Sequence, residues 1–260
     1  MIKNRTTLVI VASTKKCLKT IRKFERDIRK NKNIKIETYE HILIIRTLDT
    51  SSIIEKVRNL FKVNCLIFLQ KKKSKEKSTT RKIKKFHLIE INFEGIGLKT
   101  RKWAKQKLFR SMFFRITPRV YIIPSISEKR YKQLKYIESP HLTASMIRKR
   151  GVKIKIIPSL VPFDEFVDSE VNRIISESIK KEVEIIVSKA KKIKEDFKQR
   201  KNISESMKKI KRLYRILRIL KDKGVMCKRI TGEDYKNIYN RAYVYLTRIK
   251  KDIETIGEGI

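Results

Sequence analysis

An α+β fold is predicted for this chain: two ferredoxin-like βαββαβ units in tandem, followed by a C-terminal helical hairpin or three-helix bundle. Three observations predict it. Short β-rich runs and helical stripes alternate over residues 1–69 in the order β-α-β-β-α-β. A less regular version of that order follows a basic stretch, over residues 87–162. From Phe163 the spacing of apolar residues is helical throughout. The expected organisation is therefore a unit at 1–69, a basic linker or arm at 70–86, a second unit at 87–162 and a helical domain at 163–260.

In the first unit, "TTLVIVAST" is a β-rich run, and "KKCLKTIRKFERDIRK" spaces Leu18, Ile21, Phe24 and Ile28 at helical intervals. "IKIETYE" and "HILIIRT" form two consecutive strands. Asp49 is placed to cap "TSSIIEKVRNLF", whose stripe is Ile53, Ile54, Val57 and Leu60 or Phe61, and "VNCLIFLQ" closes the unit. Two helices would cover one face of this sheet and leave the other free.

In the second unit, "FHLIEINFE" is a strand and "LKTRKWAKQKLFRSMFF" a helix. "RITPRVYIIP" supplies two short strands around Pro118. A helix over "SEKRYKQLKYIE", a short helix or turn over "HLTASMIRKRG" and a strand over "VKIKIIPS" complete it. The last domain opens with a helix roughly 55 Å long at 1.5 Å per residue, with Val171, Ile174, Ile175, Val183, Ile186, Val187, Ala190, Ile193 and Phe197 on its stripe. Asn202 and Glu205 form a capping box for a second helix, which Gly224 should end. Thr231 and Asp234 open a third.

Charge is the strongest functional signal. The 260 residues hold 67 Lys and Arg against 27 Asp and Glu, a net +40. A Lys/Ile-rich composition of this kind suits a thermophile or an AT-rich genome, but would normally bring matching Glu. A compact domain with such self-repulsion calls for a polyanion. Residues 163–260 carry only 25 basic and 16 acidic residues, so most of the excess lies in the first 162, and residues 70–162 alone hold 26 basic and 5 acidic.

Cys17, Cys65 and Cys227 are far apart, and His41, His87 and His141 sit in no ligand spacing, so neither a zinc site nor a disulfide framework is suggested. No metal or cofactor is expected. Apolar runs such as "LVIVA" and "CLIFL" are too short to span a bilayer, and the expected location is cytoplasmic. No phosphate-loop, zinc-protease or nucleophile-elbow motif is present, and no enzymatic activity is expected.

Four groups of residues suit nucleic-acid binding. Lys71, Lys72, Lys73, Lys82, Lys84 and Lys85 concentrate charge in the linker. On the helix beginning near Lys99, Ala104, Leu108 and Met112 form a core face flanked by Phe109 and Phe113. Trp103, Lys107, Arg110 and Phe114 fall in a separate narrow sector that interleaves cations with aromatic rings, and Arg101 precedes them on the same helix. Arg148, Lys149 and Arg150 form a knot before Gly151, with Arg115 and Arg119 expected near the same rim. Lys208, Lys211, Arg212, Arg215 and Arg218 lie opposite the apolar stripe of the second C-terminal helix, where they can follow a phosphate backbone. For each group the alternative is a solvated charged face or, for Trp103, a structural one.

"RKWAKQKLFRSMFFRITPRVYIIPSISEKRYKQL" resembles the chromate-resistance regulator B family and its relatives, the small CRISPR-associated ferredoxin-fold nucleases. Arg101, Trp103 and Leu108, then Val120, Tyr121, Ile123 and Pro124, carry the resemblance, which spans roughly residues 88–220. It implies a nucleic-acid-binding ferredoxin-like fold. The nuclease relatives carry an acidic residue at the end of the first strand. "LVIVAST" has none, and "LIEINFE" offers Glu90 and Glu94 without the usual Asp. The N-terminal unit is similar, in topology alone, to the ferredoxin-like part of THUMP-containing tRNA-modification proteins. The expected function is non-catalytic binding of structured RNA, tRNA or rRNA, with the ribosome, or a second copy through the C-terminal helices, as further partners. A DNA-binding regulator is the alternative, and an accessory nuclease or RNA-modification enzyme is third.

Overall fold

The computed structural model of the protein describes residues 6–31, 34–47, 53, 56–57, 60, 65–70, 85–200 and 202–258. Its first half runs β1 (Thr6–Val11), α1 (Lys15–Ile28), β2 (Lys35–Thr38), β3 (Ile42–Thr47) and β4 (Leu66–Gln70). The Thr14 hydroxyl accepts the Cys17 amide at 3.1 Å and so starts α1. Ile21, Phe24 and Ile28 of its stripe are buried, with Leu18 packed at the margin. Ile53, Val57 and Leu60 are helical and buried, as their spacing predicts; Asp49 lies outside the described residues.

The second half runs β5 (Phe86–Asn92), α2 (Leu98–Phe109), β6 (Phe114–Arg115), β7 (Val120–Pro124), α3 (Glu128–Tyr131), α4 (Pro140–Arg148) and β8 (Lys153–Pro162). Two expected helices are shorter than their periodicity suggests. α2 stops at Phe109 instead of reaching Phe113, because the chain turns at Ser111. The Ser111 hydroxyl donates to the Glu138 carbonyl at 2.8 Å, and Phe114 has joined β6. α3 is a single turn, and beyond it the Tyr136 amide donates to the Asp222 carboxylate at 3.1 Å rather than to a helical carbonyl.

All eight strands form one antiparallel sheet in the order β2-β3-β1-β4-β8-β5-β7-β6. In each half the first strand lies between the fourth and the third. The halves join through their fourth strands, with Phe68 opposite Pro162 and Gln70 opposite Leu160. β8 serves two partners, pairing with β5 along Lys153–Ile157 and again at Leu160, where it also meets Gln70 of β4. The irregularity between falls at Pro158, which has no amide to donate, and Ser159, whose φ is 60°. The Ser159 amide donates to Nδ1 of His87 at 3.3 Å.

Alternation along β1 sends Leu8 and Ile10 to α1, where they meet Ile21, Phe24, Leu43, Ile45 and Ile67 in one core. The expectation of a free opposite face is overturned. Val9, Val11, Ile44, Leu66 and Phe68 point that way and are all buried. The cover is the sheet itself. Lys155 of β8 reaches Glu37 of β2 at 3.5 Å and lies 3.3 Å above the Tyr39 ring, and Arg119 pairs with Glu40. Three strands separate β8 from β2, so a flat sheet would hold them roughly 19 Å apart. The sheet is therefore rolled, bringing β8 and the turn before β7 over β2, and Val9, Phe68, Phe86 and Leu88 are fully buried.

A second correction concerns the cysteines. Cys17 at the start of α1 and Cys65 before β4 form a disulfide, with Cα atoms 5.7 Å apart and both side chains buried. A spacing of 48 residues gives no hint of it in the sequence.

The helical region comprises α5 (Glu165–Arg200), α6 (Ile203–Thr231) and α7 (Lys236–Glu258). Asp164 opens α5 by accepting the Val167 amide at 2.8 Å, and the 36-residue helix buries Val171, Ile175, Val183, Ile186, Ala190, Ile193 and Phe197. Asn202 caps α6 through the Glu205 amide at 3.0 Å. α6 does not end at Gly224. It continues to Thr231, and Gly232 supplies the left-handed turn at φ 78°. Gly224 is required by packing: a Cβ there would lie 2.4 Å from the Tyr239 hydroxyl of α7. Tyr235 bonds Ser176 of α5 at 2.7 Å and Thr231 at 3.1 Å, tying the three helices together. No helix among the described residues is long and apolar enough to cross a membrane.

The chain divides into two compact units. One, containing the whole sheet, is Met1–Trp103, Phe113–Ser125 and Ala144–Val171; the other is Ala104–Met112, Ile126–Thr143 and Asn172–Ile260.

Candidate nucleic-acid interface

In the helical unit, the end of α2 and the middle of α6 border a groove of about 580 Å³. Arg110 enters it from α2, and Arg212 and Arg215 from α6, so residues from two separately expected groups converge here. Lys105 adds a fourth cation. The apolar lining is Phe109, Ile216 and Ile219, Gln106 supplies a neutral amide, and among the described residues no carboxylate lines the groove. None of the four cations forms an ion pair among the described residues. Arginine heads left without carboxylates keep their full capacity for bidentate phosphate contact.

Helix geometry explains the arrangement. Arg212 and Arg215 are three apart on α6, and Ile216 and Ile219 continue at the same spacing beside the buried stripe of Leu213, Leu217 and Leu220. This stretch of α6 therefore has a cationic edge next to an apolar one. On α2, Lys105 and Phe109 are four apart, and the chain leaves the helix at Arg110. The Phe109 ring is fixed from beneath by Lys223, whose ammonium lies 4.6 Å from the ring centroid. Lys223 is buried and pairs with Glu182 at 3.8 Å. Burial pushes the Lys223 amine below the usual lysine range, with Glu182 opposing, and pushes the Glu182 carboxyl up against the pull of Lys223.

The other expected residues divide by their partners. Lys107 is held by Glu138 at 2.7 Å, and Arg119 by Glu40 and Glu94. Arg101 donates to the Ile96 carbonyl at 2.6 Å, Arg115 to the Thr117 carbonyl at 3.2 Å and Arg148 to the Ile154 carbonyl at 3.1 Å. Arg218 reaches the Tyr136 hydroxyl at 3.5 Å. Lys208 and Lys211 are exposed on α6, and Lys149 beside Arg150. Trp103 is half-buried with the Arg150 guanidinium 3.8 Å above its ring, so two residues from separate expected groups meet in the sheet unit. Lys85 is exposed at the start of β5; Lys71, Lys72, Lys73, Lys82 and Lys84 lie outside the described residues.

Sequence reasoning missed Lys105, Gln106 and the groove-lining role of Phe109, Ile216 and Ile219. Phe109 reads as flanking the core on periodicity, and only the early end of α2 frees it to line a groove. The available signal was Ile216, one residue beyond Arg215 and off the buried stripe.

The acidic residues singled out by sequence have structural surroundings. Glu90 of β5 is partly buried; burial pushes its carboxyl up, the Glu40 carboxylate adds to the rise and Arg119 opposes it. Glu94 is held low, first by its hydrogen bond from Asn92 and then by Arg119. Among the described residues no group of three or more His, Cys, Asp or Glu side chains is placed to hold a metal ion. No protein-family model matches the chain, and no curated protein is similar to it.

Proposed function

We propose that this chain is a non-catalytic RNA-binding protein that takes structured RNA, such as tRNA or rRNA, on its helical unit. The observation that carries the reading is the α2–α6 groove, lined by four cations that have no carboxylate partner among the described residues and by the apolar Phe109, Ile216 and Ile219. The net charge of +40 supplies long-range attraction to any polyanion. The two halves of the sheet, each ordered fourth-first-third-second, are read as ferredoxin-like units. Ferredoxin-like proteins that bind RNA on an open sheet use a face that is buried here, so the task falls to the helices. The stack of exposed Arg150 on half-buried Trp103, with Lys149 beside it, is read as a secondary contact on the sheet unit.

The test is a salt titration of RNA affinity. Each phosphate contact contributes a slope of about −0.7 on single strands and about −0.9 on duplex in log K against log salt. Replacing Arg110, Arg212 and Arg215 together by Ala should flatten the slope by roughly two to three. Arg173→Ala, which removes a cation already paired with Glu177 at 2.6 Å, should leave it unchanged. Equal slopes for the triple variant and the parent protein would remove the groove from the reading, and a preference for duplex DNA over RNA would turn it to a regulator.

A further inference from the structure

We infer that the α2–α6 groove is a seat for an unpaired nucleotide, with the base lying against Phe109 and its flanking phosphates held by Arg212 and Arg215. This rests on the RNA-binding reading and narrows it to the form of RNA that enters.

The groove's chemistry excludes a pure backbone contact. A surface that only tracks duplex phosphates needs cations and water, whereas this one places Phe109, Ile216 and Ile219 between its cations. A duplex presents phosphate and sugar outward and cannot cover an apolar floor. An unstacked base can, because it has two apolar faces and a polar edge. A volume of about 580 Å³ accommodates one nucleotide with room for its neighbours' phosphates. Phe109 is half-buried and lines the groove, and the buried Lys223 ammonium lies 4.6 Å from its ring centroid.

Gln106 supplies discrimination. It is the neutral polar side chain in the lining and is exposed, one helical turn before Arg110. Its amide both donates and accepts, which matches the paired donor and acceptor on a base edge, whereas arginine offers donors alone. The arginines thus set affinity, Phe109 sets the preference for unpaired over paired RNA, and Gln106 sets preference among bases.

Fluorescence anisotropy with two probes tests this: a 12-nucleotide single-stranded RNA and a 12-base-pair RNA duplex, at fixed salt. Phe109→Ala should weaken the single strand on the order of 10- to 100-fold, the range for loss of one stacked base, and leave the duplex within about twofold. Phe109→Leu retains apolar volume for folding and should lose on the order of 5-fold, again on the single strand alone. Gln106→Ala, at an exposed position, should change the ranking among homopolymeric RNAs more than the mean affinity. If the parent protein binds neither probe, the RNA-binding reading itself fails. If it binds both and neither Phe109 variant separates them, RNA binding stands and the nucleotide seat is overturned.

Discussion

Gly224→Ala should destabilise the protein, although the same change in most helices does the opposite. In a helix interior Ala is favoured over Gly by about 1 kcal/mol. At this position the added Cβ would sit 2.4 Å from the Tyr239 hydroxyl oxygen, 2.5 Å from Cε2 and 2.8 Å from Cζ, where ordinary contacts begin near 3.4 Å. The overlap is on the order of 1 Å against a ring that is 6% exposed and cannot swing into solvent. Overpacking of this kind costs about 1–3 kcal/mol, and an overlap with two ring carbons and the hydroxyl oxygen belongs at the upper end. The net expectation is a loss of roughly 1–2 kcal/mol, a melting temperature lower by about 2–8 °C for a chain of this size. Thermal unfolding followed by circular dichroism at 222 nm measures it. The steric argument has its own control. In a Tyr239→Leu background the obstacle is smaller, and Gly224→Ala should be neutral or stabilising. A higher melting temperature for Gly224→Ala in the otherwise unaltered chain would refute the reasoning. So would an equal loss in both backgrounds.

Other outcomes follow from the same geometry. Under non-reducing conditions, peptide mass spectrometry should recover Cys17 linked to Cys65. Replacing both by Ser should lower stability by up to about 4 kcal/mol, the chain-entropy value for a loop of 48 residues. Glu37 is held below the usual carboxylate range first by its hydrogen bond from Arg46, with the Arg46 and Lys155 charges assisting. Its contribution is therefore present above the unfolded carboxylate pKa and fades as pH falls through the lower folded value. Glu37→Gln should lose no more than about 1 kcal/mol near pH 7, given the pair's partial exposure, and the deficit should vanish in acid melts below the carboxylate range. Replacing Lys71, Lys72 and Lys73 by Ser should flatten the salt dependence of RNA affinity by up to about two to three if these lysines meet phosphate; an unchanged slope would make the stretch a linker.

Local information was enough for most elements and not for their relations. The order of strands and helices, the buried stripe of α5 and the Asn202 cap follow from periods and side-chain chemistry contained within a few residues. Gly224 shows the limit. A glycine late in a helical stripe reads as a stop signal, and only Tyr239 in the next helix reveals it as a packing requirement. The same holds for Cys17 and Cys65, whose meeting depends on α1 lying over β4. Cation availability was equally hidden. Arg119 and Arg110 look alike as sequence, yet Arg119 is neutralised by Glu40 and Glu94 while Arg110 faces an open groove. The arginine face of α6 was legible because helical period alone defines it. Its partner surface on α2 was not, because that surface depends on where α2 ends.

The junction of the two halves at β4 and β8 has a consequence for synthesis. β1 to β4 can pair among themselves once residue 70 has emerged, and the Cys17–Cys65 link also closes within this part. The strand that completes the junction comes some ninety residues later, with Leu160 against Gln70. At translation rates on the order of 5–20 residues per second, β4 is an open sheet edge for several seconds or more. An open edge of "LIFLQ" invites pairing with a neighbouring nascent chain. Lys71, Lys72 and Lys73 follow that strand directly, in the position where lysines repel such pairing. Charges at that point in the sequence would disfavour pairing at an edge that exists only while the protein is being made.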